Sequence, residues 1–265
     1  MGSAPRTGPI LVAEDNEANR ILALRLLDKL GYAATVANSG LEALEAIARD
    51  RYSLVLMDCQ MPEMDGFEAT RAIREREAPG AERLPIIAMT ASVTERDRQT
   101  CLEAGMDDFV TKPVMIDVLS AALARWHPGG AAARPVLAEA RREQSGPPAT
   151  NVVDREVLRR LRDDLGREAC VRFLDVYVAE LPGRQAAIVK AVEDGSEEAL
   201  RLAAHTLKST SAAVGASALA TICGELEALG STGTTEGAME MVARFQTECE
   251  RVAEALEKER AGLGA

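Results

Sequence analysis

Along the first 126 residues, short apolar runs without alternation take turns with stretches whose apolar positions recur every three or four residues. Ile10-Leu11-Val12-Ala13, Leu54-Val55-Leu56-Met57, Pro85-Ile86-Ile87-Ala88-Met89 and Phe109-Val110 are the apolar runs. Their lack of alternation fits parallel strands buried on both faces. Residues 33–37 read as a further short strand. Ile21, Leu24, Leu27 and Leu30 mark a helix that Asn16 can cap and Gly31 ends. Further amphipathic helices are predicted over residues 40–49, 67–77, 94–104 and 115–126. Strands alternating with helices of this length predict an α/β unit, a doubly wound five-stranded parallel sheet with helices on both sides.

The pattern changes at His127. Residues 127–150 are rich in Pro, Gly and Ala, with Pro-Gly-Gly at 128–130 and Gly-Pro-Pro at 146–148, and read as a flexible linker with a short helix near 137–143. Beyond Asn151 nothing reads as a strand. A helix opening at Asp154 is broken by Gly166. Four long amphipathic helices follow, over about 169–192, 197–214, 216–229 and 237–256. Pro182 is expected to bend the first of these, and Ser196 to cap the second. Short loops between such helices predict an all-α four-helix bundle.

The polar residues at the strand ends carry the chemistry. The first strand runs into Glu14-Asp15, the second long one ends at Asp58, the next at Thr90, and the last at Lys112 before Pro113. In an open parallel sheet, ligands bind beyond the carboxyl ends of the strands. Three acids, a hydroxyl and an ammonium gathered there suit a hard cation together with a phosphoryl group.

With Glu14-Asp15, Asp58, Thr90-Ala91, Phe109 and Lys112-Pro113 in order, residues 9–126 resemble the receiver domain of two-component response regulators, with its flavodoxin/CheY-like fold. The resemblance implies that Asp58 accepts the phosphoryl group. It also implies that Asp15, Asp58 and the main-chain carbonyl of Gln60 hold Mg2+ (or Mn2+), with Glu14 reaching the ion through water. Thr90 and Lys112 would bind phosphoryl oxygens, Phe109 would move with Thr90, and the Lys112-Pro113 bond would be cis.

A helical wheel over residues 200–214 puts Leu200, Ala204, Leu207, Ser211 and Val214 in one stripe roughly 80° wide, with His205 about 150° from its centre. His205 is therefore expected to face water, flanked by Arg201, Lys208 and Ser209. Neutral imidazole is nucleophilic near neutral pH and, beside cations, can take an anionic phosphoryl group. Ala204-His205-Thr206-Leu207-Lys208 within an acidic helical bundle makes residues 151–260 resemble the histidine phosphotransfer (HPt) domain. That resemblance implies phosphohistidine at His205, steadied by Lys208. Ser209 stands where the family has glycine, and is expected to tune affinity without abolishing transfer.

Composition narrows the partners. The net charge is -11, and both halves are acidic, with 14 Lys and Arg against 20 Asp and Glu up to Trp126 and 17 against 22 afterwards. Nucleic acid is therefore not an expected partner. Five scattered cysteines without metal-ligand spacing read as reduced core residues. No signal sequence or membrane span is legible, which predicts a cytoplasmic location. No glycine-rich ATP lid is present, so the phosphoryl source is expected on another protein. The two resemblances together imply a phosphorelay intermediate, with an upstream histidine kinase or phosphohistidine donor and a downstream receiver domain. Two alternatives stand beside it: a phosphorylation-switched binding module with His205 silent, and a reverse-flow phosphate sink.

Overall fold

The computed structural model describes residues 8–78, 80, 82–91, 95–127 and 151–264. The short helix expected near 137–143 lies outside them. The chain divides into two compact units, parting between Gln144 and Ser145.

The N-terminal unit is built from β1 (Ile10–Ala13), α1 (Glu17–Lys29), β2 (Ala34–Ala37), α2 (Gly40–Arg49), β3 (Leu54–Asp58), α3 (Gly66–Arg76), β4 (Ile86–Thr90), α4 (Glu95–Ala104), β5 (Asp108–Thr111) and α5 (Ile116–Trp126). The five strands are all parallel, in the order β2-β1-β3-β4-β5. Every residue of β1, and Leu54 to Met57 of β3, is fully buried, as expected of strands covered on both faces. Leu11, Ala13, Val55, Met57, Ile86 and Ala88 share one core with Ala43 and Leu44 of α2 and Ala69 and Ile73 of α3. Asn16 caps α1, its side chain accepting from the Asn19 amide at 2.8 Å.

Past Asp58 the chain makes a tight return into α3. Asp65 opens that helix with a reciprocal capping box to Glu68. The return passes so close to the strand that a Cβ at Gly66 would stand 2.0 Å from the Asp58 carbonyl oxygen. Only glycine fits there.

The C-terminal unit contains α6 (Arg155–Leu165), α7 (Arg167–Glu193), α8 (Glu197–Ala213), α9 (Ser217–Ser231) and α10 (Ala238–Gly264), and no strand among the described residues. Gly166, at φ 78°, is both the end of α6 and the start of α7. The long helix α7 runs unbroken through Pro182. Ser196 occupies the position before α8, but its side chain makes no capping hydrogen bond. Each long helix packs on two others, α8 between α7 and α9, and α10 between the same two. The core is formed by Phe173, Tyr177 and Leu181 of α7, Leu200, Ala204 and Leu207 of α8, Ile222 and Leu226 of α9, and Phe245, Val252 and Leu256 of α10. Gly230 lets α9 approach α8 closely, since a Cβ there would lie 2.6 Å from the Glu197 carbonyl oxygen.

Candidate functional site

Parallel strands put all their carboxyl ends on one edge, and the register brings the polar residues together. Ala13 pairs with Met57, so the acids following β1 stand beside Asp58, while Asp58 pairs with Met89 and Thr90 with Thr111. Lys112 Nζ lies 2.6 Å from Asp58 Oδ2 and 2.6 Å from Glu14 Oε2, with all three side chains at most 4% exposed. Glu14 is fixed on its other side by α1, its Oε1 accepting from Asn19 Nδ2 at 2.9 Å. Arg20 of the same helix donates to the Asp15 and Glu14 carbonyl oxygens, at 2.7 and 3.2 Å. The Gln60 amide donates to Asp58 Oδ1 at 3.2 Å.

Ligand oxygens of Glu14, Asp15 and Asp58 come within 4.8 Å of one another. Burial first, and then the charges of Glu14 and Asp15, push the Asp58 carboxyl well above its ordinary range, with Lys112 opposing. Lys112 loses hydration too, but Asp58 and Glu14 outweigh that loss and hold it charged. One ammonium thus pairs with two buried carboxylates, and the carboxylate of Asp15 stands beside them. The residual negative charge and the hard oxygen donors fit a divalent cation of the magnesium type. Thr90 and Phe109 are half-buried at the same edge, with Phe109 packed against the core. The Lys112-Pro113 bond is cis, as expected.

The second set of predicted residues lies on α8, and there the structure corrects the wheel. His205 does not face water; it is only 6% exposed. The single-stripe assumption fails because α8 is covered by both α7 and α9, and Ser209, Thr210 and Ala213 are buried as well. The side covering His205 comes from α9. His205 Nδ1 is 2.6 Å from Glu227 Oε1, and Lys208 Nζ is 3.1 Å from Glu227 Oε2. Arg201 pairs with Glu198.

Glu227 is the functional residue that sequence reasoning missed. It stands 22 positions from His205 and reaches it only through the α8–α9 crossing, for which the sequence carries no local signal. Burial pushes its carboxyl up, but the hydrogen bond from His205, together with the charge and hydrogen bond of Lys208, holds it below the usual range. A carboxylate facing Nδ1 fixes the tautomer with the proton on Nδ1 and the lone pair on Nε2. Nε2 is buried and has no hydrogen-bond partner. The neighbouring Lys208 is 30% exposed, and its stem passes Gly224 with only ordinary van der Waals room for a Cβ there.

Comparison with known proteins agrees with both halves. Residues 10–124 match the response regulator receiver domain model, and residues 172–255 match the Hpt domain model. The chain carries a receiver domain and an Hpt domain. The hybrid signal transduction protein dokA of Dictyostelium discoideum is 50% identical over 117 residues, 44% of this chain and 7% of the relative. The sensor protein GacS of Pseudomonas syringae pv. syringae is 40% identical over 124 residues, 46% of this chain and 13% of the relative. The chain therefore spans only a small part of these relatives. Among solved structures, the receiver domain of the sensor histidine kinase PA1611 of Pseudomonas aeruginosa PAO1, described with magnesium coordinated in its active-site cleft, is 41% identical. That match covers 46% of this chain and 98% of the other, with a TM-score of 0.41.

Within the receiver domain, the predicted residues Glu14, Asp15, Asp58, Gln60, Thr90, Phe109 and Lys112 lie along one edge. Within the Hpt domain, His205 and Lys208 share the carboxylate of Glu227. All five cysteines are free and buried. His127 packs edge-on against Tyr32, with ring centroids 4.7 Å apart. No described helix is long and apolar enough to cross a membrane.

Proposed function

We propose that the chain is a cytoplasmic phosphorelay intermediate of two domains, 9–126 and 151–260 joined by 127–150, using Asp58 as phosphoacceptor and His205 as phosphohistidine. Its partners on this reading are an upstream histidine kinase or phosphohistidine donor and a downstream receiver domain. The observation that carries it is the pairing of two built sites: a buried aspartate between acids and a lysine, and a buried histidine whose Nε2 lone pair is left unpartnered by Glu227.

At the first site an Asp58 oxygen attacks phosphorus as the bond to the donor imidazole breaks, and that nitrogen keeps the electron pair. Lys112, now shared between Glu14 and Asp58, turns part of its charge to the transferred oxygens, and Thr90 supplies a hydroxyl. Glu14, Asp15 and Asp58, with the Gln60 carbonyl, would hold Mg2+ (or Mn2+), which neutralises charge on the phosphoryl oxygens. At the second site the Nε2 lone pair attacks an aspartyl phosphate. The P–O bond breaks with its electrons left on the carboxylate. The Nδ1 proton stays, and the cationic ring faces Glu227.

A second reading, in which Asp58 drives a binding switch and His205 is silent, draws support from the burial of His205. The two separate in labelling by acetyl phosphate with magnesium of wild type, Asp58→Asn and His205→Gln. The relay requires acid-stable label on Asp58, alkali-stable label on His205, and loss of the latter in both variants. Label on Asp58 alone would favour the switch.

A further inference from the structure

Four residues of α8 carry hydroxyls, and three are satisfied. Thr206 Oγ1 donates to the Leu202 carbonyl at 3.1 Å and Thr210 Oγ1 to the Thr206 carbonyl at 3.2 Å, the usual back-bond of a helical hydroxyl. Ser211 Oγ meets the Tyr177 hydroxyl at 2.9 Å. Ser209 is the exception. Its Oγ is buried in a residue only 3% exposed, yet makes no hydrogen bond, not even the back-bond its neighbours take. A buried hydroxyl without a protein partner is disfavoured, which leaves Ser209 Oγ available to donate to a group brought to this face.

The other unpartnered buried atom of α8 is His205 Nε2, one helical turn earlier. Residues four apart on a helix have Cβ atoms roughly 5–6 Å from each other. Helical side chains lean toward the N-terminus, which carries the Ser209 hydroxyl over the turn that holds His205. A tetrahedral phosphoryl group on Nε2 extends its oxygens over about that span. The two residues with vacant hydrogen-bonding atoms thus lie one turn apart on the same face of α8, a spacing comparable with the reach of a phosphoryl group.

We infer that Ser209 is a phosphoryl-binding residue: its hydroxyl donates to an oxygen of the phosphoryl group carried by His205 Nε2, favouring phosphohistidine over aspartyl phosphate. This rests on His205 being the phosphoryl carrier. In the transfer, the P–O bond of the aspartyl phosphate breaks with its electron pair left on the carboxylate, and the Nε2 lone pair forms the N–P bond. Ser209 keeps its proton and only donates a hydrogen bond. The two partners are thereby divided between the two ring nitrogens, with the Glu227 carboxylate on Nδ1 and the Ser209 hydroxyl serving the phosphoryl group on Nε2.

The test measures the equilibrium ratio of alkali-stable to acid-stable label in the full chain treated with acetyl phosphate and magnesium, comparing wild type, Ser209→Ala, Ser209→Gly and His205→Gln. Losing a hydrogen bond to a charged group should lower the ratio roughly tenfold in both serine variants. The unfolding midpoint of Ser209→Ala should stay equal to wild type or rise, since an unsatisfied buried hydroxyl is gone. An unchanged ratio in Ser209→Ala overturns the inference while leaving the relay standing, and so does a change seen only in Ser209→Gly, which would mark a packing effect. Alkali-stable label that is absent from wild type, or that persists in His205→Gln, overturns the relay reading and the inference with it.

Discussion

Replacing Lys112 with Met tests the electrostatics of the strand-end site most directly, because methionine keeps most of the side-chain volume and removes only the charge. Lys112 Nζ is 2.6 Å from carboxylate oxygens of both Asp58 and Glu14, and none of the three side chains is more than 4% exposed. Removing one partner of a buried ion pair costs about 3–5 kcal/mol, because the remaining charge is left uncompensated. Here two carboxylates are left, with Asp15 nearby. At a urea dependence of about 2 kcal/mol per molar, the unfolding midpoint should fall by roughly 2 M. Trp126 is the one tryptophan of the chain and lies in α5, so its fluorescence reports on the receiver domain within the full-length protein. Magnesium should restore more stability to Lys112→Met than it adds to wild type, since the ion then replaces the missing positive charge at Glu14, Asp15 and Asp58. A midpoint lowered by less than about 0.5 M, or magnesium stabilising wild type the more, would refute the account of Lys112 balancing Glu14 and Asp58.

Two further predictions concern single contacts. Glu227 is held below the usual carboxylate range, so its contribution to stability is present at neutral pH and fades as pH falls from about 4.3, the unfolded value, through the lower folded one. Glu227→Gln should therefore destabilise the Hpt domain by about 1–2 kcal/mol at pH 7, followed by far-UV circular dichroism in urea, and the gap to wild type should close below about pH 4; a pH-independent gap would refute the linkage. Gly66→Ala places a Cβ 2.0 Å from the Asp58 carbonyl oxygen and should cost about 3 kcal/mol or more in the Trp126 unfolding assay. Its Asp58 labelling should fall as well, because relief of that clash must move the end of β3.

The receiver half was legible in the sequence because its signals are local and repeated. The strands β1, β3 and β4 carry runs of four buried apolar residues, and polar functional candidates stand at or just past their ends, as at Glu14, Asp58 and Thr90. Parallel topology then gathers residues that are far apart in the chain without any pair having to be recognised. The Hpt half was legible as helices, but the surroundings of its histidine were not. A wheel treats a helix as having one buried stripe, whereas α8 is sandwiched by α7 and α9, and the side chain assigned to water meets Glu227 instead. That contact depends on how closely α9 approaches, which Gly230 permits and periodicity does not encode. The vacancy of Ser209 is a property of the packed state alone.

Asp108 ties β5 to the end of α5, which packs on it. Its Oδ1 accepts from the Phe109 amide at 2.9 Å. Its Oδ2 accepts from Arg125 Nε and Nη2 and from Trp126 Nε1, at 3.0, 2.6 and 2.9 Å. A single carboxylate is therefore the pivot between the backbone of the aromatic residue at the strand edge and the last turn of the helix from which the chain leaves the domain. Removing it, as in Asp108→Asn, takes the charge partner from Arg125 and alters the anchor of the Phe109 amide at the same time, so the strand edge and the last turn of α5 depend on the same side chain.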